Sequence, residues 1–331
     1  MTATLEEPQT EPTHDNTSSS SDRDDSQAIA DDVGQRGRRL RHEMAAVRLS
    51  FHWPGVRKTL TPGQRATAAD AFGAAGPFVS AGKKLVDTTH PSWKACTVVR
   101  SQAQKFLHGM TVPWPEPGVR LIRRDDVEAF DVRMTVLSSE LSHAADRLAD
   151  DFEELKRQAA ERLGDLFDSS HYPTNVAAGF GIEWDFPAVE APAYLRDLCP
   201  SLYREEHQRI AARFEEAARL AETAFTEELA NLVEHLSERL TGSVDAKPKV
   251  FRDTAVENLT AFFDRFRRLN IAGSRDLERI VDRAQGLLTG VEPRDLRRSE
   301  SARQTIAAGL TRVQSQLDGL LVDRPRRRVI R

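Results

Sequence analysis

The chain has 331 residues, of which 39% are hydrophobic and 30% charged, and it contains two cysteines, Cys96 and Cys199. This length suits one large or two modest domains, while two cysteines exclude a disulfide scaffold and their spacing does not suggest structural zinc. No apolar run approaches the ~20 residues that span a bilayer, so we expect a cytoplasmic protein with no membrane partner.

Charge is segregated along the chain, although the net charge is only −4. Residues 1–32 contain nine acidic residues and one arginine, whereas residues 33–124 contain sixteen Lys or Arg and four Asp or Glu. Residues 125–323 contain 38 acidic and 25 basic residues, and residues 324–331 contain five arginines. Because residues 1–32 offer little apolar surface to offset the entropy of ordering, we predict a disordered acidic tail there. Residues 324–331 are expected to form a solvated basic tail.

Residues 33–124 predict a small basic α+β head in which short helices and short strands alternate. In chain order these elements are a helix over residues 35–46, a strand over 47–53, a helix opened by Thr61 and Pro62, a helix from Pro91 to about His108, and a strand over 119–122. A proline-rich connection precedes the last strand, which is therefore expected at the edge of a sheet.

Residues 125–242 predict a long antiparallel helical hairpin, similar to a coiled coil. In its first helix apolar residues recur at intervals of seven, and they are Val127, Met134, Leu141, Leu148 and Leu155. A second apolar stripe, from Ile210 to Leu240, belongs to a helix that Ser201 can cap. Pairing of the two helices would bury both stripes, and residues 168–200 would form an ordered tip.

Residues 243–323 predict three further helices that form a C-terminal bundle. Thr254 with Glu257 has the spacing of a capping box, and Ser274 is a candidate N-cap for the next helix. The last helix ends before Pro325. The expected fold is therefore mainly α, with the small basic α+β head at its N-terminal side, the long antiparallel arm and the C-terminal helical bundle.

No complete catalytic or metal-binding motif is present. The glycine-rich stretch from Gly76 to Lys84 has the wrong spacing for a phosphate-binding loop, and Lys84 replaces the hydroxyl that such loops need. Glu140 and His143 have the spacing of a di-iron ligand pair, but no second pair exists. We therefore expect no enzyme activity, cofactor or metal. An enzyme with an unrecognised site remains an alternative, and it would require a cysteine close to a histidine and a carboxylate.

Two kinds of partner are consistent with the pattern. Three aromatic residues of the predicted tip are candidates for protein interaction, namely Trp184, Phe186 and Tyr194. Basic residues of the head are candidates for binding nucleic acid. These residues are Arg36, Arg38, Arg39, Arg41, Arg57, Lys58, Lys83, Lys84, Lys94 and Arg100. Alternatively, the acidic arm could dock against the basic head, within one molecule or between two, and the oligomeric state stays open.

Residues 47–58, with the sequence VRLSFHWPGVRK, are similar to the opening of an uncharacterised domain family found in bacteria, phages and plasmids. Residues 80–87, the helix around Val98 and the turn Thr111–Pro115 also resemble this family, and the resemblance covers residues 45–240. Family members are often encoded beside a MoxR- or CobS-like AAA-type ATPase and a von Willebrand A-domain protein. The resemblance implies a non-catalytic accessory component of an ATPase-driven remodelling system, and it supplies no catalytic residues.

Overall fold

The computed structural model describes residues 34–241, 254–271, 273–291, 296 and 299–322. The predicted acidic and basic tails lie outside these residues. Within them the chain is mainly helical with a small antiparallel sheet, which confirms the fold class in this coarse form.

The described strands are β1 (Met44–His52), β2 (Arg57–Thr59), β3 (Gly82–Lys84), β4 (Thr111–Pro113), β5 (Val119–Arg123) and β6 (Gly181–Asp185). The described helices are α1 (residues 34–43), α2 (Pro62–Asp70), α3 (Pro91–Met110), α4 (Val127–Leu163), α5 (Tyr194–Leu198), α6 (Pro200–Thr241), α7 (Thr254–Leu269), α8 (Arg275–Leu288) and α9 (Glu300–Val322).

The main sheet has the strand order β4-β5-β1-β6, and its neighbours are antiparallel. Strands β2 and β3 form a separate two-stranded ribbon. The prediction that residues 119–122 form an edge strand is wrong, because β5 lies between β4 and β1. The edge is taken by β4, which contains Pro113 and so lacks one of the N–H groups that an interior strand would use.

The main sheet is covered by helices on both faces. Met44 and Ala46 of β1 pack in one hydrophobic cluster with α6 to α9, whereas Val47 packs in a second cluster with α3 and α4. Strand β5 repeats this alternation, since Leu121 belongs to the first cluster and Ile122 to the second. Both of these residues are 0% exposed. The sheet is therefore the layer that the two helical clusters share.

The prediction that α4 and α6 form a hairpin by covering each other's stripes is wrong. The stripe of α4, from Phe130 to Ala159, is buried in the cluster with α3, whereas the stripe of α6, from Ile210 to Leu240, is buried with α7 to α9. The cause lies in residues 168–200, which do not form a tip. They contain β6, which pairs with β1, so that the chain enters the sheet after α4 and leaves it toward the opposite face.

Local capping signals were predicted with mixed success. Thr61 caps α2 in a full capping box with Gln64, and the hydroxyl of Ser274 accepts a hydrogen bond from the Leu277 amide at the start of α8. Asp125, which with Glu128 three residues later has the spacing of a capping box, does not cap α4. Its carboxylate instead accepts a hydrogen bond from Arg123 at 2.9 Å, and a short 3₁₀ turn precedes the helix.

Candidate interaction surfaces

Two of the predicted nucleic-acid contacts are ion-paired within the molecule. Arg36 Nη1 lies 3.3 Å from Glu222 Oε2 on α6, and Arg41 Nε lies 3.1 Å from Glu190 Oε1. The pair raises the pKa of Arg41 and lowers the pKa of Glu190. Both acids come from the acidic part of the chain, so these two contacts match the alternative in which acidic residues dock against basic ones within one molecule.

Arg41 also joins three segments of the chain. Its Nη2 lies 3.0 Å from His207 Nε2 on α6, while Glu190 belongs to the segment that leads into α5. One guanidinium on α1 thus contacts the segment before α5 and the first turns of α6. This arrangement gives Arg41 a positioning role at the α5–α6 junction.

The other predicted basic residues of the helices are spread over the surface rather than gathered in one site. Arg38 and Arg39 on α1 and Lys94 on α3 are exposed. Arg100 is half-buried, and its guanidinium carbon lies 5.1 Å from the ring centroid of Phe51 and 5.0 Å from that of Trp53. This cation–π arrangement favours a packing role for Arg100.

The β2–β3 ribbon places cations directly opposite cations. Arg57 faces Lys84, and Lys58 faces Lys83. Like charges at such positions destabilise a ribbon. Lys83 is buried and donates to the backbone carbonyl of Leu166, while Lys84 Nζ lies 4.0 Å from the carboxylate of Asp87.

Arg57 and Lys58 are left without an acidic partner in the part of the chain that the structure describes, and both are exposed. Arg38, Arg39 and Lys94 are likewise exposed and without a salt bridge among the described residues, so the ribbon is one of several places where positive charge is uncompensated.

Residues 60–81 form an excursion between β2 and β3, and the sequence did not predict its exposed phenylalanines. It contains α2 and a 3₁₀ turn, Gly76–Phe78, and Ala69 is its one buried residue. Phe72 is 86% exposed and Phe78 is 91% exposed. The available sequence signal was the absence of ionisable residues from position 71 to position 82.

A second exposed apolar surface lies where α5 meets α6, and we call Tyr194, Leu198 and Leu202 the junction patch. Their exposed fractions are 63%, 77% and 42%. Tyr194 and Leu198 are four residues apart on one helix, so their side chains are neighbours, and Leu202 follows on the first turn of α6.

The two other aromatic residues predicted for protein interaction lie elsewhere. Trp184 is on β6, where its indole N–H donates to Asp131 on α4 at 2.8 Å. Phe186 is 40% exposed, and its ring centroid lies 6.4 Å from that of buried Phe130. The structure thus brings Trp184 and Phe186 to the side of α4, whereas Tyr194 belongs to the junction patch.

A cleft of about 650 Å³ lies between the end of α3 and α7. Its arginines serve the fold, because Arg268 Nη2 donates to the Gly109 carbonyl at 2.8 Å and so satisfies the C-terminus of α3. Arg265 is ion-paired with Glu228. Both arginines of this cleft are therefore engaged by contacts within the fold.

The two cysteines have opposite environments. Burial raises the pKa of the Cys96 thiol. The pKa of Cys199 is lowered by a hydrogen bond with the Ser201 hydroxyl, at 3.4 Å, and by the backbone amides at the start of α6. Among the described residues, neither sulfur is hydrogen-bonded to a histidine or a carboxylate, and no cluster of three His, Cys, Asp or Glu side chains could hold a metal ion. The expectation that the chain is not an enzyme stays a prediction.

Comparison of the chain with protein-family models, with curated proteins and with solved structures finds no match. The resemblance described in the sequence analysis therefore stays a prediction. None of the described helices is long and apolar enough to cross a membrane. Function is best argued from the exposed surfaces themselves.

Proposed function

We propose that this chain is a non-catalytic interaction protein that binds a protein partner through the junction patch. The observation that carries the proposal is the exposure of Tyr194, Leu198 and Leu202, three large apolar side chains on either side of the α5–α6 junction. Burying a large apolar side chain is worth about 1.5–3 kcal/mol, and clustered apolar side chains on a surface commonly mark an interface. Aromatic anchors such as Tyr194 are frequent among the residues that dominate binding energy.

The surroundings of the junction patch support this proposal. The Arg41 contacts with Glu190 and His207 tie the segment before α5 to α6 and to α1. A patch held in this way keeps its geometry before binding, which reduces the entropy lost on association. Its charged neighbours include both signs, among them Arg196, Asp197 and Glu205, so the patch does not select strongly for an acidic or a basic partner.

The resemblance of residues 45–240 suggests a candidate partner, an AAA-type ATPase that acts with a von Willebrand A-domain protein. In that role the chain would act as an adaptor. The second candidate function, nucleic-acid binding, is supported by the uncompensated charge of Arg57 and Lys58, but it draws no support from Arg36 and Arg41, whose guanidinium groups contact Glu222 and Glu190.

The proposal is tested by placing the photo-crosslinking residue benzoylphenylalanine at position 198 in the full chain, expressed in its own cells. Val98 on α3 is 53% exposed and lies outside the patch, so the same substitution there is the matched control. We expect an adduct with a different protein from position 198 and not from position 98.

Absence of an adduct at position 198, or equal adducts at both positions, would contradict the proposal. An adduct between two copies of this chain would also contradict it, because the proposed partner is a different protein. Identification of the AAA-type ATPase in the adduct would support the more specific assignment.

A further inference from the structure

The excursion over residues 60–81 is a small unit that packs mainly on itself. Its 3₁₀ turn lies against α2, since a Cβ placed on Gly76 would come 4.0 Å from Ala66 Cα, and the amide of Ala74 donates to the Ala69 carbonyl at 2.9 Å. Its one buried residue, Ala69, provides very little of the apolar burial that normally stabilises an ordered segment. The excursion therefore has little apolar burial and holds two phenylalanines in solvent.

Charge and apolar surface are separated along this excursion. Residues 71–81 include Phe72 and Phe78 and contain no ionisable side chain, and we call them the tip segment. The exposed cations lie at its base, where Arg57 and Lys58 on β2 face Lys84 and Lys83 on β3, while α2 carries the half-buried Arg65 and the exposed Asp70. Arg57, Lys58 and Lys84 are exposed, and we call these three residues the cationic collar.

We propose that the tip segment inserts into the surface of an anionic lipid bilayer while the cationic collar contacts the lipid headgroups. Large apolar side chains that penetrate the interface and basic residues that remain at headgroup level are the two elements of peripheral membrane binding. An uncharged tip enters the interface without desolvating an ion. The negative headgroups would also relieve the repulsion between the opposed cations of the ribbon.

The same features fit nucleic acid less well. Bases that stack on aromatic rings need cations close to those rings, because phosphates flank every base. Here the exposed positive charge lies at the base of the excursion, Arg65 on α2 is half-buried, and no cation interrupts the tip segment. The expectation of no membrane partner was based on the lack of a spanning segment, and contact with a bilayer surface does not require one.

Co-sedimentation with lipid vesicles tests this proposal in the full chain. Vesicles of phosphatidylcholine alone are compared with vesicles in which about a third of the lipid is phosphatidylserine. We expect binding to the anionic vesicles, and we expect it to weaken as salt screens the cationic collar. The double substitution Phe72→Ser and Phe78→Ser should lower the partition coefficient by about a hundredfold or more, because each exposed ring contributes about tenfold.

Three further variants separate the contributions of the tip segment and the collar. Arg57→Gln with Lys58→Gln should weaken binding to anionic vesicles by about tenfold and leave any weak binding to neutral vesicles unchanged. Val98→Ser with Val132→Ser is the matched control, since these valines are 53% and 60% exposed on other helices, and it should bind as the wild type does. Phe78→Trp should show additional fluorescence that brominated lipids quench.

Failure of the wild type to sediment with anionic vesicles would overturn the proposal, and so would equal binding by the double phenylalanine variant. Binding of single-stranded DNA that depends on Phe72 and Phe78, without vesicle binding, would show that the tip segment binds nucleic acid and not a lipid surface. Concentration-dependent dimers that are lost in the double phenylalanine variant, again without vesicle binding, would show that the tip segment binds a second copy of the chain. Because Leu198 is unchanged in every variant, these outcomes do not depend on the junction patch.

Discussion

The two cysteines show how position alone can give one side-chain type two reactivities. Cys199 lies just before α6, where backbone amides and the Ser201 hydroxyl stabilise a thiolate. Cys96 is 0% exposed and its sulfur points to the Ser92 carbonyl, at 3.6 Å, in surroundings that favour the neutral thiol. Cys96 falls within the helix predicted from Pro91, where a free cysteine is usually buried. The lowered pKa of Cys199 depends on where α6 begins, and the sequence could not predict it.

We predict that iodoacetamide modifies Cys199 selectively in the folded protein. Because the pKa of Cys199 is lowered, its alkylation rate should reach half of its maximum at a pH below the ~8.5 of an ordinary thiol. Ser201→Ala should move this midpoint upward, and mass spectrometry of tryptic peptides provides the measurement. Cys96 should react only after unfolding. Faster labelling of Cys96 than of Cys199 would contradict the assigned environments.

At the scale of elements, periodicity predicted which residues are buried but not which elements cover them. The heptad positions of α4, such as Met134, Leu141 and Leu148, are buried as expected. An apolar stripe can be buried against any apolar surface of suitable shape, so the pattern could not distinguish α3 from α6 as the neighbour of α4. The deciding element is β6, whose five residues include Glu183 and Asp185 and lack the apolar character of an obvious strand.

The corrected pairing predicts which substitutions are energetically coupled. Leu141→Ala on α4 and Leu229→Ala on α6 each remove a fully buried side chain and should cost about 2–5 kcal/mol. Because the two residues belong to different clusters, their effects should add to within about 0.5 kcal/mol in urea unfolding.

The matched positive control for this double-mutant cycle is a pair of residues that are in contact, one on α6 and one on α7. The rings of Phe225 and Phe266 have centroids 5.2 Å apart and meet edge to face, so Phe225→Leu and Phe266→Leu should couple by about 0.5–1.5 kcal/mol. Coupling of that size between Leu141 and Leu229 would contradict the separate clusters, because it would indicate that α4 and α6 contact each other as in the predicted hairpin.

At the scale of the whole molecule, the sheet joins the predicted head, arm and bundle. Leu121 and Ile122 are consecutive residues of β5, yet they serve different helical clusters. The segregation of charge along the sequence also has a counterpart here, since Arg36 and Arg41 of the basic part meet Glu222 and Glu190 of the acidic part. Sequence reasoning proposed that docking as one alternative, but only the fold determines which residues pair.

We predict that the two helical clusters unfold together, because each one is packed on the same sheet. Trp93 reports on the cluster with α3 and α4, and Trp114 reports on the cluster with α6 to α9. In two variants that keep only one of these tryptophans, with phenylalanine at the other tryptophan positions, fluorescence should give the same urea midpoint. Far-UV circular dichroism of each variant, compared with the wild type, measures whether the tryptophan substitutions themselves change the urea midpoint. Two separate midpoints at matched stability would show independent domains.

The edges of the main sheet limit how this molecule can meet others. At one end β4 has three residues and ends in Pro113, which has no N–H to offer to an incoming strand. At the other end β6 carries Glu183 and Asp185, and charged side chains on an edge discourage strand addition. The protein is therefore protected against extension of its sheet into intermolecular β-structure, the usual route to fibrils. Recognition of other molecules is left to side chains outside the main sheet.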